Sequence, residues 1–396
     1  MKKGRRYRSA WLVAVLGLIT ASCSSGDDGR LPEAQGRWER TGTWPHQDVT
    51  SFDHVAVGAT AGTVAWLTRR ARGETGALAY LEMRHGDDPV EIEVPTPTDR
   101  VVIPVAVATS EAGWAAVAVT RDLAHGENTG LMAWNASIGA DPAIAPAEVL
   151  PRLGEIAPPE SVSIGRSTRT TVVTAVLDGV ALTWDTTNDQ PGWEAAQPDL
   201  DLTEDLVSLR VVGDGDRLVL AGVDVAGAAH LWTSTNGDSW DRIASDRLPD
   251  DAGAVGLLAS LGHDQVAVGW LDDEDSAPFS ATATTVQLLE DDGLTDQGRI
   301  TADGSDQERI DVSGATTSPD GRLVVVGAAL RANGAPFPMV WVRDDDRWQA
   351  SGQPDLVGRL DHVLRAVTTT RDDTMVGLVT AVAHIDVETW RWRPAD

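Results

Sequence analysis

Cysteine occurs once in the 396 residues, at Cys23, so no intramolecular disulfide can form. Lysine is confined to Lys2 and Lys3, tyrosine to Tyr7 and Tyr80, and phenylalanine to three positions. The longest apolar stretch, Trp11–Ala21, falls short of the roughly 20 residues that a spanning helix needs. The eight histidines stand singly, and neither an HExxH pair nor any other metal-ligand spacing is present. The chain also lacks a GxSxG elbow, a phosphate loop and a dinucleotide fingerprint, which removes the enzymes built on those devices. Basic residues are scarce against acids, and the formal charge of −28 sets the chain against nucleic acid and anionic lipid surfaces. The same charge favours cations or basic partners, although solubility accounts for it equally well.

What is present begins with an export signal. "MKKGRRYRSA" carries five basic residues and no acid, "WLVAVLGLITA" is a short apolar core, and "SC" follows at a small-residue cleavage position. "TASC" resembles a bacterial lipobox, with Thr20 where leucine is commonest. The resemblance implies cleavage after residue 22, a lipid on Cys23 and attachment to the membrane, facing the extracytoplasmic side. Stable anchoring needs more than one acyl chain, and lipoprotein chemistry supplies at least two. "CSSGDDGRLPEAQ" (23–35) then reads as a flexible tether, holding the body about 20 Å from the membrane. Abundant Arg, Ala, Gly and Val beside almost no Lys is a high-GC bacterial bias, of the actinobacterial kind.

The rest, 36–396, repeats. "LVSLRVVGDGDRLVLAGVDVAGAAHLWTSTNGDSWDRI" (206–243) and "IDVSGATTSPDGRLVVVGAALRANGAPFPMVWVRDDDRWQAS" (310–351) share one order. Each has a β-rich run, a Gly/Asp turn, a second apolar run, a loop, a run ending in Trp, and a polar turn into a fourth. Weaker copies start near 55, 103, 161, 255 and 363. Alternating Val, Leu, Thr and Trp between Gly, Asp and Pro predicts strands, and no helical stripe follows residue 23. Four short strands at a period of about 50 residues predict an all-β chain folded as a single β-propeller. Seven units are read; their degeneracy leaves six or eight open. "GRWERTG" (36–42) parallels "DRWQASG" (346–352), while the last unit stops after three strands. The N-terminal strand is therefore expected to complete the last blade and cover its edge.

"STNGDSW" resembles the Asp-box turn of sialidase-type and related repeat propellers, with Asn236 in place of the aspartate. Ser234 and Asn236 can bond a tight turn, Gly237 supplies the positive φ, and Trp240 starts the fourth strand and packs. "TNDQPGW" (187–193) and "DDDRW" (344–348) read as decayed copies. In the families that carry it, this motif lies away from the catalytic centre, so the resemblance implies a fold and not an activity.

Sialidase activity is disfavoured: that family uses a catalytic tyrosine, and outside the signal only Tyr80 remains, in the apolar run "ALAYLEM". No catalytic residue is assigned, and no cofactor is expected. The acidic runs 272–276 and 344–346 could take Ca²⁺ but lack the EF-hand pattern. The expectation is a membrane-anchored propeller that binds or scaffolds a protein or an envelope component such as a glycan. The alternative is an envelope-glycan hydrolase or lyase with its site at one mouth of the channel. Several acids and an arginine converging in a deep pocket would favour the enzyme, and an exposed apolar patch on the top face would favour partner binding.

Overall fold

The structure is a computed structural model. It describes residues 36–44, 55–60, 63–71, 77–85, 88–94, 100–110, 113–122, 128–137, 148–149, 362–369, 375–381 and 387–394, together with 161–350 apart from breaks at 189–191, 197, 203, 244–245, 273–280, 291–292, 302–306 and 332–335. The chain divides into Met1–Leu31 and Pro32–Asp396. The expected signal 1–22, Cys23 and the tether 23–35 lie outside the described residues.

The described residues contain no helix and form seven antiparallel four-stranded sheets. Their first strands begin at Val55, Arg100, Ser161, Leu206, Ala254, Gln307 and His362, within a few residues of the units read from sequence. Each first strand lies against the first strand of the next sheet, and Val55–Thr60 meets both Arg100–Ser110 and His362–Thr369. These inner strands therefore run around a common centre, the arrangement of a β-propeller. The seventh sheet takes its outer strand from the other end of the chain. Gly36–Trp44 pairs with Val387–Pro394, setting Trp38 opposite Trp392.

Burial explains the composition of the strands. Thr170–Leu177 and Arg217–Asp224 are second strands, covered on both faces by neighbouring sheets, and are almost wholly buried. Such strands read as near-continuous apolar runs instead of alternating ones. Outer strands such as Arg347–Ala350 and Asp241–Arg242 are short and polar, which blunts the sheet edge. Each apolar cluster spans two consecutive sheets, so the core is a set of seams. Trp134, Trp184, Trp232, Trp341 and Trp390 come from third strands, and each fills the seam toward the preceding sheet. That repeated role accounts for five of the fifteen tryptophans.

Close approach of the inner strands sets a glycine requirement. A Cβ on Gly213 would sit 1.9 Å from the Arg166 carbonyl oxygen, so only glycine lets the third and fourth sheets meet there. Arg166 is itself fully buried, and its Nη1 bonds the side chains of Asn135, Thr171 (3.1 Å) and Asn188 (2.9 Å). It thereby ties the second sheet to the third.

Candidate functional site

Inner strands place their inward-facing residues around the propeller centre, and five of them carry a β-bulge. The extra residues are Val105, Val207, Gly256, Leu261, Glu308, Ser313 and Arg365. A bulge breaks strand alternation and re-aims a side chain, which is why bulges gather at sites. Arg365, re-aimed in this way on the seventh sheet, places its Nη1 3.0 Å from Asp311 Oδ2 on the sixth. Arg210, on the fourth sheet, also attracts Asp311. The inner strand of the fifth sheet stands between the strands that carry those two. Arg309 precedes Asp311 by two residues in regular register, so the pleat puts it on the same face of the strand.

Arg365 and Arg210 thus both act on the Asp311 carboxylate, two positive charges on one acid in a chain of net charge −28. Burial pushes Asp311 above the ordinary carboxylate value, and Arg365 and Arg210 pull it back only in part. Burial lowers Arg210, and Asp311 opposes this. A guanidinium stays charged throughout the accessible range. Chemically, the group can bind an anion bidentately with Asp311 fixing the geometry.

Sequence reading missed these residues. The available signal was a charged residue interrupting an apolar inner-strand run in three units: "SLRVV", "RIDVS" and "VLRAV". Reading the units one beneath another would have exposed it.

The turn singled out from sequence lies elsewhere, between the third and fourth strands of the fourth sheet. Ser234 Oγ accepts from the amides of Asn236 (3.2 Å) and Gly237 (2.9 Å). Asn236 Oδ1 accepts from Ser234 Oγ (2.9 Å) and from the amides of Asp238 (3.1 Å) and Ser239 (3.2 Å). Gly237 has φ +86°, and Trp240 is 8% exposed. A related Ser-Asp-Gly turn, the Gly/Asp turn of the repeat in "SPDGRL", closes the first hairpin of the sixth sheet. There Ser318 Oγ donates to Asp320 and accepts from the Arg322 amide at 3.0 Å, and Gly321 has φ +83°.

Three further groups bear on chemistry. His230 is buried between Asp224 and Arg242: Asp224 Oδ2 lies 2.9 Å from Nε2, and Arg242 Nη2 lies 2.7 Å from Nδ1. Arg242 can only donate, so Nδ1 accepts and Nε2 carries the hydrogen toward Asp224. Burial would raise Asp224, but the His230 bond and the Ala228 and Ala226 amides outweigh it and hold it below the ordinary value. Asp185, beneath the 234–240 turn, is pushed up to about 6 by burial, then by the charges of Asp238 and Glu194. Among the described residues, no three His, Cys, Asp or Glu side chains are placed to hold a metal. Asp272 instead pairs with Arg299 at 2.5 Å, and Asp346 lies 3.8 Å from Arg343. Residues 273–276 of the first acidic run lie outside the described residues.

No protein-family model and no curated protein matches the chain. Solved structures do match, sialidases and lectins among them. The phage phi92 endosialidase is 9% identical, with 92% of this chain and 70% of that one covered and a TM-score of 0.47. The Trypanosoma rangeli sialidase is 11% identical, with 76% of this chain covered and a TM-score of 0.41. The chain spans 54% of the length of that sialidase. The Aleuria aurantia lectin, described as a six-bladed β-propeller with a novel mode of fucose recognition, is 11% identical, with 76% and 94% covered and a TM-score of 0.42. At such identities the chemistry has to come from this chain's own residues.

Proposed function

We propose that the chain is a seven-bladed propeller anchored through a lipid on Cys23, and that it binds a component of the cell envelope at the centre of the ring. The ligand presents a carboxylate to Arg210 and Arg365. The observation that carries this reading is that two arginines of different inner strands, Arg210 and Arg365, act on the single carboxylate of Asp311, in a chain that is otherwise strongly acidic. The outer field repels polyanions, so the ligand is one anionic group on an otherwise neutral body, such as an acidic sugar at the end of a neutral glycan. Asp311 orders the guanidinium groups and rejects ligands that cannot displace its own ion pair.

The rival reading, a glycan hydrolase or lyase, is favoured by one feature, the raised carboxyl of Asp311, which suits a general acid. Most glycosidases flank the scissile bond with two carboxylates, and this set supplies one. Binding is therefore the better reading. The test is calorimetric titration of the mature domain with oligosaccharides ending in glucuronate and with their neutral glucose-terminated counterparts. Binding of the acidic ligand alone, weakened at least about tenfold in Arg365→Ala or Arg210→Ala, is expected. Equal binding of both ligands, or release of a reducing end, overturns it.

A further inference from the structure

Four large apolar residues are exposed among the described residues, and three of them lie on one row of loops. Val180 starts the third strand of the third sheet and is 41% exposed. Val207 is the bulged residue at the start of the fourth sheet's inner strand and is 38% exposed. Val225 follows that sheet's second strand and is 56% exposed. Backbone bonds stitch their loops together. The Leu206 amide donates to Gly179 O at 2.8 Å, the Val225 amide to Asp205 O at 2.8 Å, and the Ala252 amide to Gly227 O at 2.8 Å. The row is therefore a held surface, and the bulge at Val207 turns that side chain outward.

The row has an acidic border. Asp178, Asp199, Asp201, Glu204, Asp205, Asp250 and Asp251 are exposed in the same loops. The one basic residue in these segments, Arg247, reaches to the Leu294 carbonyl of the fifth sheet. We propose that this face docks a basic polypeptide segment carrying aliphatic side chains between Lys or Arg residues. Charge complementarity selects that occupant. An anionic membrane surface or a polyanion is repelled, a second copy of the same face meets like charge, and a simple cation leaves the valines in water. The valines supply the apolar anchor, and the acids steer and orient the segment. The valines are different side chains from the central arginines, although Val207 shares the inner strand of Arg210, and the proposal stands whether or not those arginines bind a carboxylate.

The test uses fluorescence anisotropy of the mature domain with three labelled, amidated peptides: KRVLVRK, KRGSGRK and EEVLVEE. KRVLVRK is expected to bind at least about tenfold more tightly than either control, with affinity falling as salt rises. Replacing Val180, Val207 and Val225 together by Ser lowers that affinity at least about tenfold. Asp199→Asn, Asp201→Asn and Glu204→Gln combined lower it and flatten the salt dependence. Asp344→Asn with Asp346→Asn, on the sixth sheet, leaves it unchanged, as does Arg365→Ala. Should the triple valine variant melt early, Val225→Ser alone, at a loop position, must still weaken binding. Equal binding of KRVLVRK and KRGSGRK, or full affinity in the valine variants, reduces the effect to the general field of the chain and overturns the proposal.

Discussion

Arg365 reaches Asp311 from a bulge: the extra residue of the seventh sheet's inner strand is the one that places Nη1 3.0 Å from the carboxylate of the sixth. An ordinary strand position would hold to the pleat's alternation, so the bulge and the ion pair are one device. Asp311→Asn keeps the shape and removes the charge. Burial outweighs the arginines at Asp311, so its charge costs stability at neutral pH; removing that cost offsets the loss of the pair with the partly open Arg365, and stability is expected to change by less than about 1 kcal/mol. The same change is expected to strengthen binding of a carboxylate ligand, since the arginines lose their internal competitor. Urea denaturation and calorimetric titration of the same variant check both. A variant that keeps its stability and loses carboxylate binding would mean that Asp311 touches the ligand directly.

Asp185 gives a pH dependence of defined sign. Its carboxyl is raised to about 6 in the folded chain by burial and by the charges of Asp238 and Glu194, against an ordinary 3.8. Between those values the folded state holds a proton that the unfolded chain has released. Asp185 therefore costs nothing below about pH 4, and its cost grows until about pH 6, above which it is constant. Asp185→Asn is expected to raise stability at pH 7 by about 1–2 kcal/mol, after allowance for water at the site, and to leave it nearly unchanged at pH 4. Melting curves at the two pH values decide it; equal effects at both would remove Asp185 as the titrating group.

Cys23→Ser tests the anchor. The variant is expected to leave the membrane fraction or to persist as an uncleaved precursor. Fractionation and migration identical to the wild type would refute lipidation.

The strands were legible because propeller units repeat their turn chemistry: Gly, Asp and Asn punctuate Val- and Leu-rich runs at each hairpin, and tryptophan marks third strands that fill the same seam. The pairing of Gly36–Trp44 with Val387–Pro394 was legible from one shared phrase around Trp38 and Trp348. The central arginines were not. Arg210 and Asp311 are far apart in sequence and belong to different units, and only closure of the inner strands around one centre brings their charges together. The row of Val180, Val207 and Val225 was hidden for a different reason. A valine in a strand reads as core until a bulge or a loop end turns it outward.

Closure of the seventh sheet makes the N-terminal strand essential. Deleting residues 36–42 removes most of the partner of Val387–Pro394 and bares its hydrogen-bonding edge. Aggregation in size-exclusion chromatography, or a drop in melting temperature of several degrees, is expected. A monomeric deletion variant with an unchanged melting temperature would mean that the pairing contributes nothing to stability.

The 234–240 turn is a structural joint, and its variants separate packing from recognition. Gly237 has φ +86°, and a Cβ there would lie 2.9 Å from Val172 Cγ2 of the third sheet. Gly237→Val thus meets a strained backbone and a crowded seam at once, and is expected to cost more than the ~1 kcal/mol typical of point changes. Trp240 is buried in the same seam with Trp232, so Trp240→Ala is expected to cost about 3–5 kcal/mol. Asn236→Asp behaves differently. Its Oδ1 accepts from Ser234 Oγ and from the amides of Asp238 and Ser239, bonds a carboxylate would keep and strengthen. Against that stand the charges of Asp238 and Asp185 nearby, so the change is expected to be nearly neutral at pH 7. None of the three should alter ligand binding except through lost folding. If Trp240→Ala left the melting curve untouched and abolished binding of the glucuronate ligand or of KRVLVRK, Trp240 would be a recognition residue, and its place in the seam between the third and fourth sheets would have to be abandoned.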